Sequence, residues 1–277
     1  MVNKYIKGYG EWGIKMDPIM FVKKITDINF EILNIANKFR YMIEVNKYKR
    51  YILKNSRFKD KHAGETCFII GNGPSIKEMD LSKLSDKYTF MVNASINTKL
   101  FDVIKPNYHC VYDRAVLNEL SDVLRKNFEN NKYNTEFFLN RIAMKEFKDY
   151  KNVNFVYSTI LPIEDKIRYD LTKNANVFIN VLPFAIMCAL YMGFKKIILL
   201  GCDFSFFAYR KQAHFYDIEK HKVRKETLYQ DLAGCAIAWQ QYNSLKKFAM
   251  KNNIEIINST PNSLLDVFPQ VSIEEYI

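Results

Sequence analysis

Seven short apolar runs, each closed by a polar residue or a glycine, constrain this chain more than any other feature. CFII stops at Gly71, TFMV at Asn93, HCVY at Asp113, EFFL at Asn140, NFVY at Ser158, IILL at Gly201 and IEII at Asn258. Helical stretches lie among them, at Arg114–Phe128, Leu182–Gly193 and Leu232–Asn252. Strand-like runs alternating with helices predict an α/β, Rossmann-like fold with a mostly parallel sheet flanked by helices. The stops then collect along the carboxyl edge of the sheet, where open α/β folds bind ligands. LPFAIMCALYMG is apolar on all sides, which predicts a central helix buried against the sheet.

With 277 residues, 48% of them hydrophobic, the chain can build one sizeable core plus an appendage. The texture changes near residue 64, which divides the chain into a basic helical extension (1–63) and the sheet domain (64–277). The extension reads as two helices, Pro18–Ala36 and Lys38–Leu53. Lys47, Lys49, Arg50, Lys54, Arg57, Lys59 and Lys61 crowd its end. Such a run coats a solvated surface or rests on anionic lipid headgroups. The five cysteines are odd in number and form no CxxC pair, as expected of reduced thiols rather than a zinc site. No signal-peptide core opens the chain, and the most apolar stretch, Val177–Phe194, is interrupted by Asn180 and Pro183. A cytoplasmic protein, peripheral at the inner face of the membrane if the basic helices bind it, is the expectation. The net charge of +11 suits an acidic partner, yet no nucleic-acid-binding module is present, so nucleic acid is not expected as one.

Gly71-Asn72-Gly73-Pro74-Ser75 is the strongest local signal. Its glycines permit close backbone approach, Ser75 and Glu78 have capping-box spacing, and such a turn points amides at a bound anion. No GK[ST] follows it and it is not GxGxxG. Asp203 follows the IILL run and Asp113 closes HCVY, places where a carboxylate accepts from hydroxyl or amino groups, binds a metal, or simply caps a turn. No DxD pair occurs in the chain, so a metal-free site is expected. The connection from Phe204 to Tyr229, with Tyr209, Arg210, Lys211, His214, Tyr216, His221, Lys222 and Arg224, reads as a lid able to neutralise phosphate. His214 and His221 suit proton transfer near neutrality, whereas His62 and His109 read as structural.

CFIIGNGPSIKEMDLSKL, TFMVN, ALYMGFKKIILLGCDFS, HFYD and STPNSLLDVFP together resemble the bacterial sialyltransferases of glycosyltransferase family 42. They also resemble the wider hydroxymethylpterin diphosphokinase-like domain family found in surface-polysaccharide biosynthesis. The resemblance runs from about Thr66 to Val271. It implies a GT-A-like, metal-independent transferase passing a sialic or related nonulosonic acid from a CMP-activated donor to a glycan or glycolipid acceptor, with no other cofactor. A homo-oligomer is compatible with it. It also implies that Asn72, Ser75, Asn93, Asp113, Asn180, Asn262 and Ser263 lie about the donor, where Gly71 and Gly73 of the turn, Asp203 after its strand and Tyr216 of the lid are expected to join them. His214 would steady the departing phosphate and His221 would act as base. The family's general-base histidine falls near Ala236 and its arginine near Phe178, so donor identity stays open. Two alternatives are pyrophosphoryl transfer from ATP with Mg²⁺ to a pterin, and a nucleic-acid-binding protein suggested by charge alone.

Overall fold

The computed structural model describes residues 18–208, 214–216 and 227–277, with side chains from Lys24 onward. The seven apolar runs form the seven strands of one sheet, β1 (Thr66–Ile70), β2 (Tyr88–Val92), β3 (Tyr108–Val111), β4 (Glu136–Asn140), β5 (Val153–Val156), β8 (Lys196–Leu200) and β9 (Glu255–Asn258). Two short strands, β6 (Ser158–Ile160) and β7 (Ala175–Asn176), pair with each other outside it. The order is β5-β4-β3-β2-β1-β8-β9 and every pairing is parallel. Parallel strands buried on both faces need no polar alternation, which is why the runs are continuously apolar.

The helices are α1 (Pro18–Leu53), α2 (Lys99–Ile104), α3 (Arg114–Glu119), α4 (Ser121–Asn130), α5 (Met144–Phe147), α6 (Val181–Tyr191) and α7 (Leu228–Lys251). Side chains alternate across the sheet. Cys67 and Ile69 of β1 face the layer of α6 and α7, while Phe68 and Ile70 join Leu124, Phe128 and Phe147 on the opposite face. Helix α6 is buried from Pro183 to Tyr191, as its all-apolar sequence demands. The expected single helix over Arg114–Phe128 is broken at Leu120, whose backbone leaves helical geometry at φ −96°, ψ 5°.

Two helices were expected before residue 54, and the structure has one, 36 residues long. Neither glycine nor proline interrupts the helix at the expected junction. Asn37 donates to the Thr159 carbonyl (2.8 Å) with its side chain and leaves the backbone helical. Asn34, one turn earlier, donates to the Leu161 carbonyl (2.9 Å) and accepts from the Leu161 amide (2.7 Å), pairing like a neighbouring strand. Further along, Tyr48 and Ile52 enter the core, and Asn55, fully buried, donates to the carbonyls of Phe155 and Leu171. Part of the basic cluster is also tied to the surface of the sheet domain. Arg57 bonds Glu136 (2.7 Å) and Asn154 (3.1 Å), and Lys54 donates to the Val153 carbonyl (3.2 Å). No described helix is long and apolar enough to cross a membrane.

Candidate functional site

The chain leaves β1 toward β2 and leaves β8 toward β9, so the direction of winding changes between these neighbouring strands. Such a switch point is where an open α/β sheet splays its carboxyl ends into a crevice. Here the crevice is closed by a knot. The Gly71 amide donates to the Leu200 carbonyl (2.7 Å) and the Gly73 amide to the Gly201 carbonyl (2.9 Å). Asp203 then accepts from the Ser75 amide (3.0 Å) and hydroxyl (2.8 Å). A Cβ on Gly73 would lie 1.7 Å from the Asp203 carboxylate, and one on Gly71 2.5 Å from the Gly201 carbonyl. Gly201 itself adopts φ +62°.

This corrects two expectations. The amides of Gly71, Gly73 and Ser75 are committed to the end of β8 and do not form an anion cradle. Nor does the capping box form, because the Ser75 hydroxyl serves Asp203 and the turn over Pro74–Glu78 has no side-chain cap. The glycines are needed because two strand ends cross at backbone contact, and Asp203 is the clamp that holds them.

Beside the knot opens a cavity of about 310 Å³. Its floor comes from the ends of three adjacent strands through Asn72, Asn93 and Asp113, and one wall is the first turn of α6 with Asn180 and Leu182. Asn72 donates to the Val92 carbonyl (3.3 Å) and the Tyr216 hydroxyl (3.2 Å). Asn93 takes the left-handed conformation, φ +49°, and its own carbonyl is bonded to His109 (2.9 Å). The side-chain oxygens of both Asn72 and Asn93 are buried without a hydrogen-bond partner among the described residues. A buried carbonyl left unpaired costs about 1–3 kcal/mol, and both residues that bear this cost line the cavity. Asp113 caps α3 by accepting from the Ala115 amide (2.6 Å), the blander of its two expected roles, while still lining the cavity. Asn180 stands at the N-cap of α6 without capping it, so the first amides of that helix lie at the cavity wall.

His214 closes the opposite side, its ring stacked on Tyr216 with centroids 5.3 Å apart. The adjoining Phe215 amide bonds the Asn72 carbonyl (2.9 Å), which ties this part of the expected lid to the glycine turn. Burial pushes the Tyr216 hydroxyl well above the ordinary tyrosine range, so it is present as the phenol. His221, with Tyr209, Arg210, Lys211, Lys222 and Arg224, lies outside the described residues. His62 and His109 occupy structural positions. His62 lies between Glu65 (2.7 Å) and the Tyr108 hydroxyl (2.6 Å), and burial drives His109 down to about 3.

Asn262 and Ser263 are not brought to this cavity. Ser263 is a packing knot, donating to the Cys202 carbonyl (2.6 Å) and accepting from Asn258 and the Leu265 amide. Asn262 lines a separate cavity with Glu78, Asp80 and Lys83. Sequence reasoning missed the aromatic walls, Tyr112, Phe204, Phe206 and Tyr242. Tyr112 and Phe204 directly adjoin Asp113 and Asp203 at strand ends, a signal that could have found them. Tyr242 lies in the middle of α7 with no local mark, and reaches Asn180 through its hydroxyl (3.4 Å).

A family model described as 6-hydroxymethylpterin diphosphokinase MptE-like matches residues 34–208, well over half of the chain. The chain belongs to the MptE-like family. The match takes in β1 to β8, the glycine knot and the second half of α1, and ends before His214 and α7. No curated protein matches this MptE-like chain. Among solved structures it is similar to the sialyltransferase CstII from Campylobacter jejuni in complex with cytidine-5'-monophosphate. The identity there is 18% and the TM-score 0.49, over 76% of this chain and 86% of that one. The same enzyme with the substrate analogue CMP-3FNeuAc gives 19% and 0.46, over 75% and 86%. The sialyltransferase CST-II with a trisaccharide acceptor and CMP gives 20% and 0.46, over 75% and 86%.

Proposed function

We propose that this MptE-like chain is a cytoplasmic glycosyltransferase. It moves a sialic or related nonulosonic acid from a CMP-activated donor to a surface-glycan or glycolipid acceptor, without a metal. One observation carries the reading. The cavity pairs two buried, unpartnered carbonyl oxygens, on Asn72 and Asn93, with an imidazole and a helix N-terminus. The first pair wants hydroxyl or amino donors, as a sugar or a cytosine supplies. The second pair suits a phosphate monoester.

In the proposed reaction the bond from the anomeric carbon to the phosphate oxygen breaks, and the acceptor oxygen bonds to that carbon. His214 donates to the departing CMP, and the acceptor's proton passes to a base, for which His221 is the candidate. Pyrophosphoryl transfer from ATP to a pterin is the second reading, favoured by the family description. Magnesium that arrives with a nucleotide needs only one or two protein carboxylates beside the phosphates, and the cavity offers Asp113 and Asp203. Both Asp203 oxygens already accept from Ser75, Asp113 caps α3, and no group of three or more His, Cys, Asp or Glu converges among the described residues. The described residues thus offer no preformed carboxylate cage, which supports the metal-independent reading over the second one without deciding between them.

Thermal shift with CMP, CDP, UDP, GDP and ATP, each with and without Mg²⁺, tests the choice. A shift by CMP independent of Mg²⁺ is expected, and an ATP shift requiring Mg²⁺ would overturn it. His214→Ala should lower turnover at least tenfold, and turnover within a fewfold of wild type would remove His214 from the mechanism.

A further inference from the structure

Helix α1 has two faces of opposite character. Asp27, Asn34, Asn37, Glu44 and Tyr48 turn toward the body of the protein, bonding Gln240, Leu161, Thr159 and Tyr157 or entering its core. The other side carries Ile25, Ile28, Ile32, Ile35, Phe39 and Met42, exposed by 44% to 70%. Their spacing is 3, 4, 3, 4, 3, the repeat of a two-helix seam. On a helix of 3.6 residues per turn this stripe points almost directly away from the docked face, so a second helix can approach it without touching the sheet domain.

We infer that this seam pairs with the same seam of a second copy of the chain, in antiparallel orientation. Taking Ile25, Ile32 and Phe39 as a positions and Ile28, Ile35 and Met42 as d positions, antiparallel layers set Ile32 against Ile35, Ile25 against Met42 and Phe39 against Ile28 of the partner copy. In that register the flanking g positions place Glu31 beside Lys38 of the other helix, twice by symmetry. A parallel pair would put Glu31 opposite Ala36 and Lys38 opposite Ile43, with no ion pair on either side. Charge complementarity therefore selects a second copy and its direction. The seam spans about 27 Å and lies on the stretch of α1 that precedes its entry into the core at Tyr48.

Sedimentation of the full chain across micromolar concentrations tests this, with anionic phosphatidylserine vesicles as a separate arm. Wild type should sediment as a dimer, about twice 32.7 kDa. Ile32→Asp with Ile35→Asp should give a monomer whose circular dichroism stays native-like, because neither side chain touches the core. Glu31→Lys should weaken the dimer at least tenfold, and adding Lys38→Glu should restore it. A parallel pair would be indifferent to both changes. A wild-type monomer at 100 μM, or failure of the charge reversal to rescue, would overturn the inference. So would a monomer that binds vesicles only while Ile32 and Ile35 are intact, which would give the seam to a membrane.

Discussion

Gly73→Ala tests the knot at the switch point. The added Cβ would stand 1.7 Å from Asp203 Oδ2 and 2.7 Å from the Gly201 carbonyl, so the carboxylate must leave its place. With it go two hydrogen bonds to Ser75. Bonds to charged groups contribute roughly 1.5–3 kcal/mol each, and water entering the gap returns part of that. Asp203→Ala should therefore cost about 3 kcal/mol. Gly73→Ala should cost about 4–5 kcal/mol, the excess coming from the remaining clash with Gly201. The two losses share a cause, so the double variant should cost about 4–5 kcal/mol rather than their sum, a coupling of about 3 kcal/mol. Urea unfolding followed by far-ultraviolet circular dichroism measures all four corners of the cycle. Additive losses, or a Gly73→Ala protein within about 0.5 kcal/mol of wild type, would refute the clamp.

Burial holds His109 near 3 in the folded chain, whereas in the unfolded chain it titrates near 6.5. The unfolded state alone takes up this proton between those values. Stability should fall by about 1.4 kcal/mol per pH unit as pH drops through that window, and His109→Leu should remove one proton's share of the slope in urea titrations. Asn34→Ala should cost about 1–2 kcal/mol in the same assay, through two lost bonds to Leu161. Tyr216→Phe removes the hydroxyl that accepts from Asn72 and should weaken CMP binding severalfold by calorimetry, with unfolding little changed. Unchanged CMP affinity would detach Tyr216 from the site.

The sheet was legible because a strand buried on both faces announces itself in a few adjacent residues, and all seven such runs entered it. The pairing of β6 with β7 was not, since β7 spans only two residues and β6 three. The carboxyl-edge position of Asn72, Asn93 and Asp113 was legible for the same reason as the strands, whereas Asn180, at the start of α6, was reached only through the family resemblance. What those residues do there was harder to read. Asp203 and Ser75 are 128 positions apart, and nothing near GNGPS marks its amides as partners of β8. The same distance hid the role of Ser263, whose hydroxyl serves a carbonyl 61 residues away. The break expected after Ala36 failed because asparagine side chains can bond elsewhere while their backbone remains helical, as Asn37 does.

The interior place of β1, between β2 and β8, has a consequence for synthesis. Its first neighbour, β2, follows within about twenty residues, but its second, β8, lies 130 positions later. At roughly 5–20 residues per second, a ribosome leaves that edge open for roughly 6–26 seconds. During this interval Cys67, Phe68, Ile69 and Ile70 present an unpaired apolar edge, the arrangement most prone to pairing with another chain. The strand that anchors the finished site is thus also the segment most in need of protection while the protein is being made.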